Sequence, residues 1–217
     1  MRKVFQADLQ QIGEELIEMA NQVATAMDRA WDSLANADVE LAQEVIAADA
    51  KIDFLQNQLD ERAIDTLALQ GPVASDLRMI VGSLRMSASL ERMGDLARHL
   101  AQLARLRFPQ PAIPERISTT FAEMAKIDIQ IAQAVARLLD TRDLNIAAEI
   151  IELNHEVDRL HSSVFARIAE ADWDASAPTT VDVSLTSRYL ERFGDHGVSV
   201  ARKVTYLVTG EWDPSDA

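Results

Sequence analysis

The chain of 217 residues sets 21 Lys and Arg against 35 Asp and Glu, a net charge of -14, and has no cysteine. That acidic surplus repels a polyphosphate backbone and excludes nucleic acid as the main partner, so bound cations or a basic partner fit better. Without thiols there are no disulfides or thiolate ligands, any metal site must use oxygen and histidine, and no run of about 18 apolar residues offers a membrane span.

The first eight residues, Met1 to Asp8, are charged and carry no apolar stretch of the kind a secretory signal needs, so the expected location is the cytoplasm. Apolar residues then recur at three- and four-residue steps, as in Val45, Ala48, Ile52, Leu55 and Leu59, and again in Leu90, Met93, Ala97, Leu100 and Ala104. Breakers fall at Gly71-Pro72, along 108–114, at Pro178 and after Gly210. The spacing predicts an all-α protein with helices over 8–35, 39–70, 75–107, 116–140, 143–170 and 181–209. Asn36-Ala37-Asp38 and Thr141-Arg142-Asp143 read as tight turns whose Asp opens the next helix.

The order of elements repeats. Glu18-Met19-Ala20 returns as Glu123-Met124-Ala125, and at the same offset Leu34, Asp38, Glu44, Asp53 and Leu55 meet Leu139, Asp143, Glu149, Asp158 and Leu160. In the third helix of each unit, Leu90-Glu91-Arg92-Met93-Gly94-Asp95 meets Leu190-Glu191-Arg192-Phe193-Gly194-Asp195. Two tandem three-helix bundles follow, over 1–107 and 116–211, with a linker at 108–115 and a tail at 212–217.

Glu91 and Asp95, and likewise Glu191 and Asp195, stand four residues apart and stack on one helical face, where like charges repel. A single-seam heptad phase places them on the outer face. Asp49 and Asp53 make another four-spaced pair on the middle helix, and two facing helices pooling carboxylates describe a hard-cation site. The plainer alternative is a solvated acidic face neutralised by arginines. Gly94 and Gly194, at the same place in both units, point to close backbone approach or room for a ligand. Arg78, Arg85 and Arg92 follow a seven-residue step, either as salt-bridging partners within the bundle or as a dock for a partner. Glu152-Leu-Asn-His155 has the Glu-x-x-His spacing of di-iron bundles, but its counterpart Ala47-Ala-Asp-Ala50 does not, so a carboxylate-bundle oxidase is disfavoured. Met79, Met86 and Met93 read as core filler.

These residues resemble the PhoU family of phosphate-signalling regulators. Gln70-Gly-Pro-Val-Ala-Ser-Asp-Leu-Arg78 is similar to the family's segment entering the third helix, the two Leu-Glu-Arg-x-Gly-Asp runs to its paired acidic motifs, and Tyr206-Leu-Val-Thr-Gly210 to its ending. The resemblance spans roughly 8–211. It departs at Leu96, where a histidine often follows the motif, and at Ala175-Ser-Ala-Pro178.

The resemblance implies a cytoplasmic, non-enzymatic negative regulator of the phosphate-starvation response. Its partners would be the ATPase subunit of a phosphate-specific ABC transporter, a sensor histidine kinase and a second copy of itself, with membrane association only through them. It also implies metal clusters of iron, zinc, manganese or magnesium on Glu91, Asp95, Glu191 and Asp195, with Asp49, Asp53 and Asp158 as co-ligands. The competing readings are a metal-dependent carboxylate-bundle enzyme and a metal-free scaffold. Asp49 becomes Asn154 in the second unit, where His155 and His161 lie on the stripe of Asp158; either imidazole would shift preference toward zinc or iron.

Overall fold

The computed structural model describes residues 2–211, with backbone alone for Arg2 and Lys3; the expected tail at 212–217 lies outside the described residues. Six helices run as α1 Arg2–Ala35, α2 Val39–Gln70, α3 Ser75–Arg107, α4 Glu115–Thr141, α5 Leu144–Ile168 and α6 Ala177–Thr209, without a strand among the described residues.

The two tight turns are copies of one another. Ala37 and Arg142 both take a left-handed backbone, with φ of 51° and 56°, and the following Asp38 and Asp143 cap the next helix. Asp38 accepts from the amides of Glu40 and Leu41 at 3.1 and 3.0 Å, and Asp143 from that of Asn145 at 2.9 Å, satisfying donors that a helix start leaves unpaired. Gly71 ends α2 with φ of 54°, a conformation that glycine adopts without a Cβ penalty.

Two helix starts differ from the sequence expectation by more than one residue. Helix α1 begins at Arg2 rather than 8. Helix α6 begins at Ala177 rather than 181, because Pro178 sits in its first turn, where a missing N–H costs nothing, and the Ser176 side chain accepts from the Thr179 amide at 3.3 Å. Helix α5 ends at Ile168 rather than 170.

One apolar core runs through both units. Met19, Met27, Ile52, Leu59, Leu90 and Met93 fill the first and Phe121, Met124, Val157, Leu190 and Phe193 the second, and α1 packs on α4. Helix α3 touches α1 and α2 of its own unit and α6 of the other. Helices α3 and α6 lie antiparallel: Arg107 at the end of α3 pairs with Asp182 at the start of α6, Ser89 Oγ lies 3.5 Å from Ser199 Oγ, and a Cβ on Gly82 would come within 3.2 Å of Leu207. Met86 and Met93 are buried, as core filler should be.

Candidate metal centres

Each acidic motif meets the middle helix of its own unit at a glycine. A Cβ on Gly94 would meet Ile52 Cδ1 at 2.9 Å and Asp49 Oδ1 at 3.3 Å; one on Gly194 would collide with Asn154 Oδ1 and reach Asp128 Oδ1 at 3.4 Å. The repeated glycine therefore admits a polar side chain of α2 or α5 close against the motif.

Three of the four motif carboxylates lie deeper than the outer face that a single-seam heptad gives them, while Asp195 is exposed as expected. Glu91 and Asp95 have side chains only 19% and 17% exposed. Helix α3 has three neighbours rather than one, and α2 covers the flank where these residues sit.

In the first unit Asp49 is buried, Glu91 and Asp95 are half-buried and Asp53 is exposed. Arg98 joins them. Its Nε lies 2.5 Å from Asp49 Oδ2, and its Nη2 pairs with Asp95 Oδ1. Arg92 reaches Asp95 at 2.9 Å and Glu91 at 3.5 Å. Burial raises the Asp95 carboxyl, but hydrogen bonds and charge from Arg98 and Arg92 outweigh it and hold the group below its usual range. Asp49 is raised by burial, against Arg98 and with repulsion from Asp53 and Asp95. Glu91 is raised by burial and then by Asp95.

The second unit is built differently. Asp158, Glu191 and Asp195 can each bring a carboxylate oxygen within 4.8 Å of the others. Behind them Asp128 of α4 has no exposed surface, and neither of its carboxylate oxygens has a hydrogen-bond partner. Burial, then the charges of Asp195 and Glu191, push this carboxyl well above the usual range. Asn154 donates from Nδ2 to Asp195 Oδ1 at 3.3 Å, while its buried Oδ1 has no donor. Arg188 pairs with Glu191 at 2.5 Å. Burial and Asp195 raise both Asp158 and Glu191; His155 and His161 pull Asp158 back, Arg188 and His161 pull Glu191 back.

A cavity of about 590 Å³ opens beside this group, lined by Asp158, Asp195, Val198, Arg85 and Lys203 among others. The donor set fits the metal that the resemblance implies: three clustered carboxylates, with buried acceptors on Asp128 and Asn154 that lack any donor, are the oxygen chemistry of a hard or borderline cation.

The two histidines stand near the second cluster, His155 lining the same cavity as Asp158 and Asp195 and His161 acting on the carboxyls of Asp158 and Glu191. His161 Nδ1 lies 2.8 Å from Ser187 Oγ, and its ring meets Phe165 edge-on. His155 and Glu152 are exposed, 4.0 Å apart. Arg92 belongs to the first acidic cluster, whereas Arg85, which lines the cavity of the second, also shares a neighbouring cavity with Arg78, itself 6.0 Å from the Tyr206 ring. Sequence reasoning missed Arg98 and Asp128. The repeat alignment carried the signal, since Arg98 stands opposite Val198 and Asp128 opposite Val23.

Comparison with known proteins agrees with the duplicated architecture. The family model described as the PhoU domain matches twice, over residues 16–104 and 121–204, once in each unit. The phosphate-specific transport system accessory protein PhoU homolog 2 of Mycobacterium tuberculosis is 40% identical over 210 residues, covering 97% of this chain and 99% of the relative. PhoU homolog 1 of Mycobacterium leprae is 38% identical over 216 residues, covering 100% and 97%. The crystal structure of PhoU from Pseudomonas aeruginosa superposes with a TM-score of 0.87 at 26% identity over 95% of this chain and 100% of that one. That of the Streptococcus pneumoniae regulatory protein gives 0.85 at 23%, over 96% and 99%, and supports the fold alone. With both repeats matched and relatives aligned end to end, the chain belongs to the PhoU family.

Proposed function

We propose that this chain is a cytoplasmic negative regulator of the phosphate-starvation response, docking on the ATPase subunit of a phosphate-specific ABC transporter and on a sensor histidine kinase. PhoU proteins are regulatory accessory proteins, not enzymes. The observation that carries the reading is the end-to-end similarity to proteins named as accessories of the phosphate-specific transport system. No helix among the described residues is long and apolar enough to cross a membrane.

Docking of a rigid bundle shifts a kinase between states only by binding one state better than the other, and six interlocked helices present a fixed surface for that purpose. The second acidic cluster is the metal-bearing part of that surface, with Asp158, Glu191 and Asp195 as ligands and Asp128 and Asn154 behind them. A bound ion there supplies positive charge that offsets carboxylate repulsion and ties α5 to α6. Glu191 is oriented by Arg188 and Asp195 by the Asn154 amide.

The test is genetic. Removing the gene from phosphate-replete cells should raise expression of phosphate-uptake genes, and restoring this chain should repress them again. Mycobacterium tuberculosis carries relatives named homolog 1 and homolog 2, so the strain must lack every copy. Unchanged repression in such a strain would remove the proposal.

A further inference from the structure

We propose that the two acidic motifs are not equivalent: the Arg98 guanidinium is the built-in cation of the first, and only the second, at Asp158, Glu191 and Asp195, takes a metal ion. This rests on the metal-binding reading of the second cluster.

Three observations carry it. Arg98 lies between the two helices whose carboxylates would share an ion, touching Asp49 of α2 with Nε and Asp95 of α3 with Nη2. A guanidinium stays protonated throughout the working pH range and forks to two carboxylates at once, so it does there what a bridging cation would do. The side chain is 28% exposed and ion-paired with both carboxylates, and a metal ion at Asp49 and Asp95 would have to displace it and lie against its charge.

The second observation is that the pair changes together. At the repeat offsets Asp49 becomes Asn154 and Arg98 becomes Val198, so the carboxylate and its cation leave in one exchange. Val198 lines the cavity beside the second cluster.

The third is Asp128. It is wholly buried, both oxygens lack a partner, and its oxygen lies beside Gly194 of the motif. The first unit has buried Val23 at that position and asks nothing of a ligand. Unpartnered acceptors are therefore found behind the cluster that lacks a bridging arginine, and an ion is the partner they fit.

The experiment is Mn²⁺ titration of the untagged, metal-stripped full-length chain, reading free Mn²⁺ by electron paramagnetic resonance, with circular dichroism to establish folding. Wild type should take up Mn²⁺, Glu91→Gln/Asp95→Asn should take up as much, and Glu191→Gln/Asp195→Asn should fall to background. Arg98→Val should about double the saturating uptake, and adding Glu91→Gln/Asp95→Asn should cancel the gain. Should Arg98→Val fold poorly because it strands Asp49, Asp49→Asn/Arg98→Val reproduces the pair of the second unit and should show the same gain. If wild type binds Mn²⁺ but Glu91→Gln/Asp95→Asn lowers the uptake, or if a folded variant lacking Arg98 gains nothing, this proposal falls alone. If wild type binds none, the metal reading of the second cluster falls with it.

Discussion

Asp128 shows how a side chain can oppose the fold that holds it. Its carboxyl is fully buried without a donor, and burial with the charges of Asp195 and Glu191 raises it well above 3.8. The folded chain thus keeps a proton that the unfolded chain releases. The stabilising difference is complete below 3.8 and is lost as pH climbs from there through the folded value. Asp128→Val, which installs the residue found at position 23, should stabilise the metal-free protein by about 1–3 kcal/mol near neutral pH. It should also flatten the decline in stability from pH 4 upward and weaken Mn²⁺ uptake. Urea unfolding at acid and neutral pH checks this, and a metal-free variant no more stable than wild type contradicts it.

At the scale of elements, α3 and α6 meet through His99 and Tyr189, whose rings stand 5.0 Å apart. Burial, then the charge of Arg98, lowers the imidazole below 6.5, against a smaller pull from Asp95. Below 6.5 the unfolded chain takes up the proton first, so stability present above that value is lost as pH falls toward the folded one. His99→Phe should keep the packing and reduce the drop in melting temperature between pH 7.5 and 5.5. It should not abolish the drop, because His196 is lowered too, by burial and then Arg192. A variant melting with the wild-type pH profile would refute the assignment. The six helices themselves were legible, because spacing at three and four residues is set by burial and needs no knowledge of neighbours. The start of α6 was not, since Pro178 breaks a helix interior yet suits a first turn, and only the Ser176 cap distinguishes the two. The motif carboxylates were legible as pairs, but the depth of Glu91, Asp95 and Glu191 was not. A heptad assigns one covered seam, whereas α3 is covered by α1, α2 and α6. For the same reason Arg98 and Asp128 passed as ordinary helix residues until the third dimension placed them beside the motifs.

At the scale of the whole molecule, the two units face one another across α3 and α6 in opposite directions. Arg107 holds one end of this junction, with Nε and Nη2 at 2.6 and 3.0 Å from the buried carboxylate of Asp182. Asp182→Ala should lower the melting temperature while leaving Mn²⁺ uptake intact, because the pair lies at the start of α6, away from both acidic clusters; calorimetry alongside the titration reads both. The centre of the junction is filled twice in different ways. His99 and Tyr189 make one contact, and their repeat counterparts Ser199 and Ser89 make the other. Two separate copies of a single unit, related by a true two-fold axis, would have to make one and the same contact twice. Joining the copies in one polypeptide lifts that obligation. One half is then free to keep a permanent positive charge at Arg98 while the other leaves its place open, a division of labour that no symmetric pair of identical chains can encode.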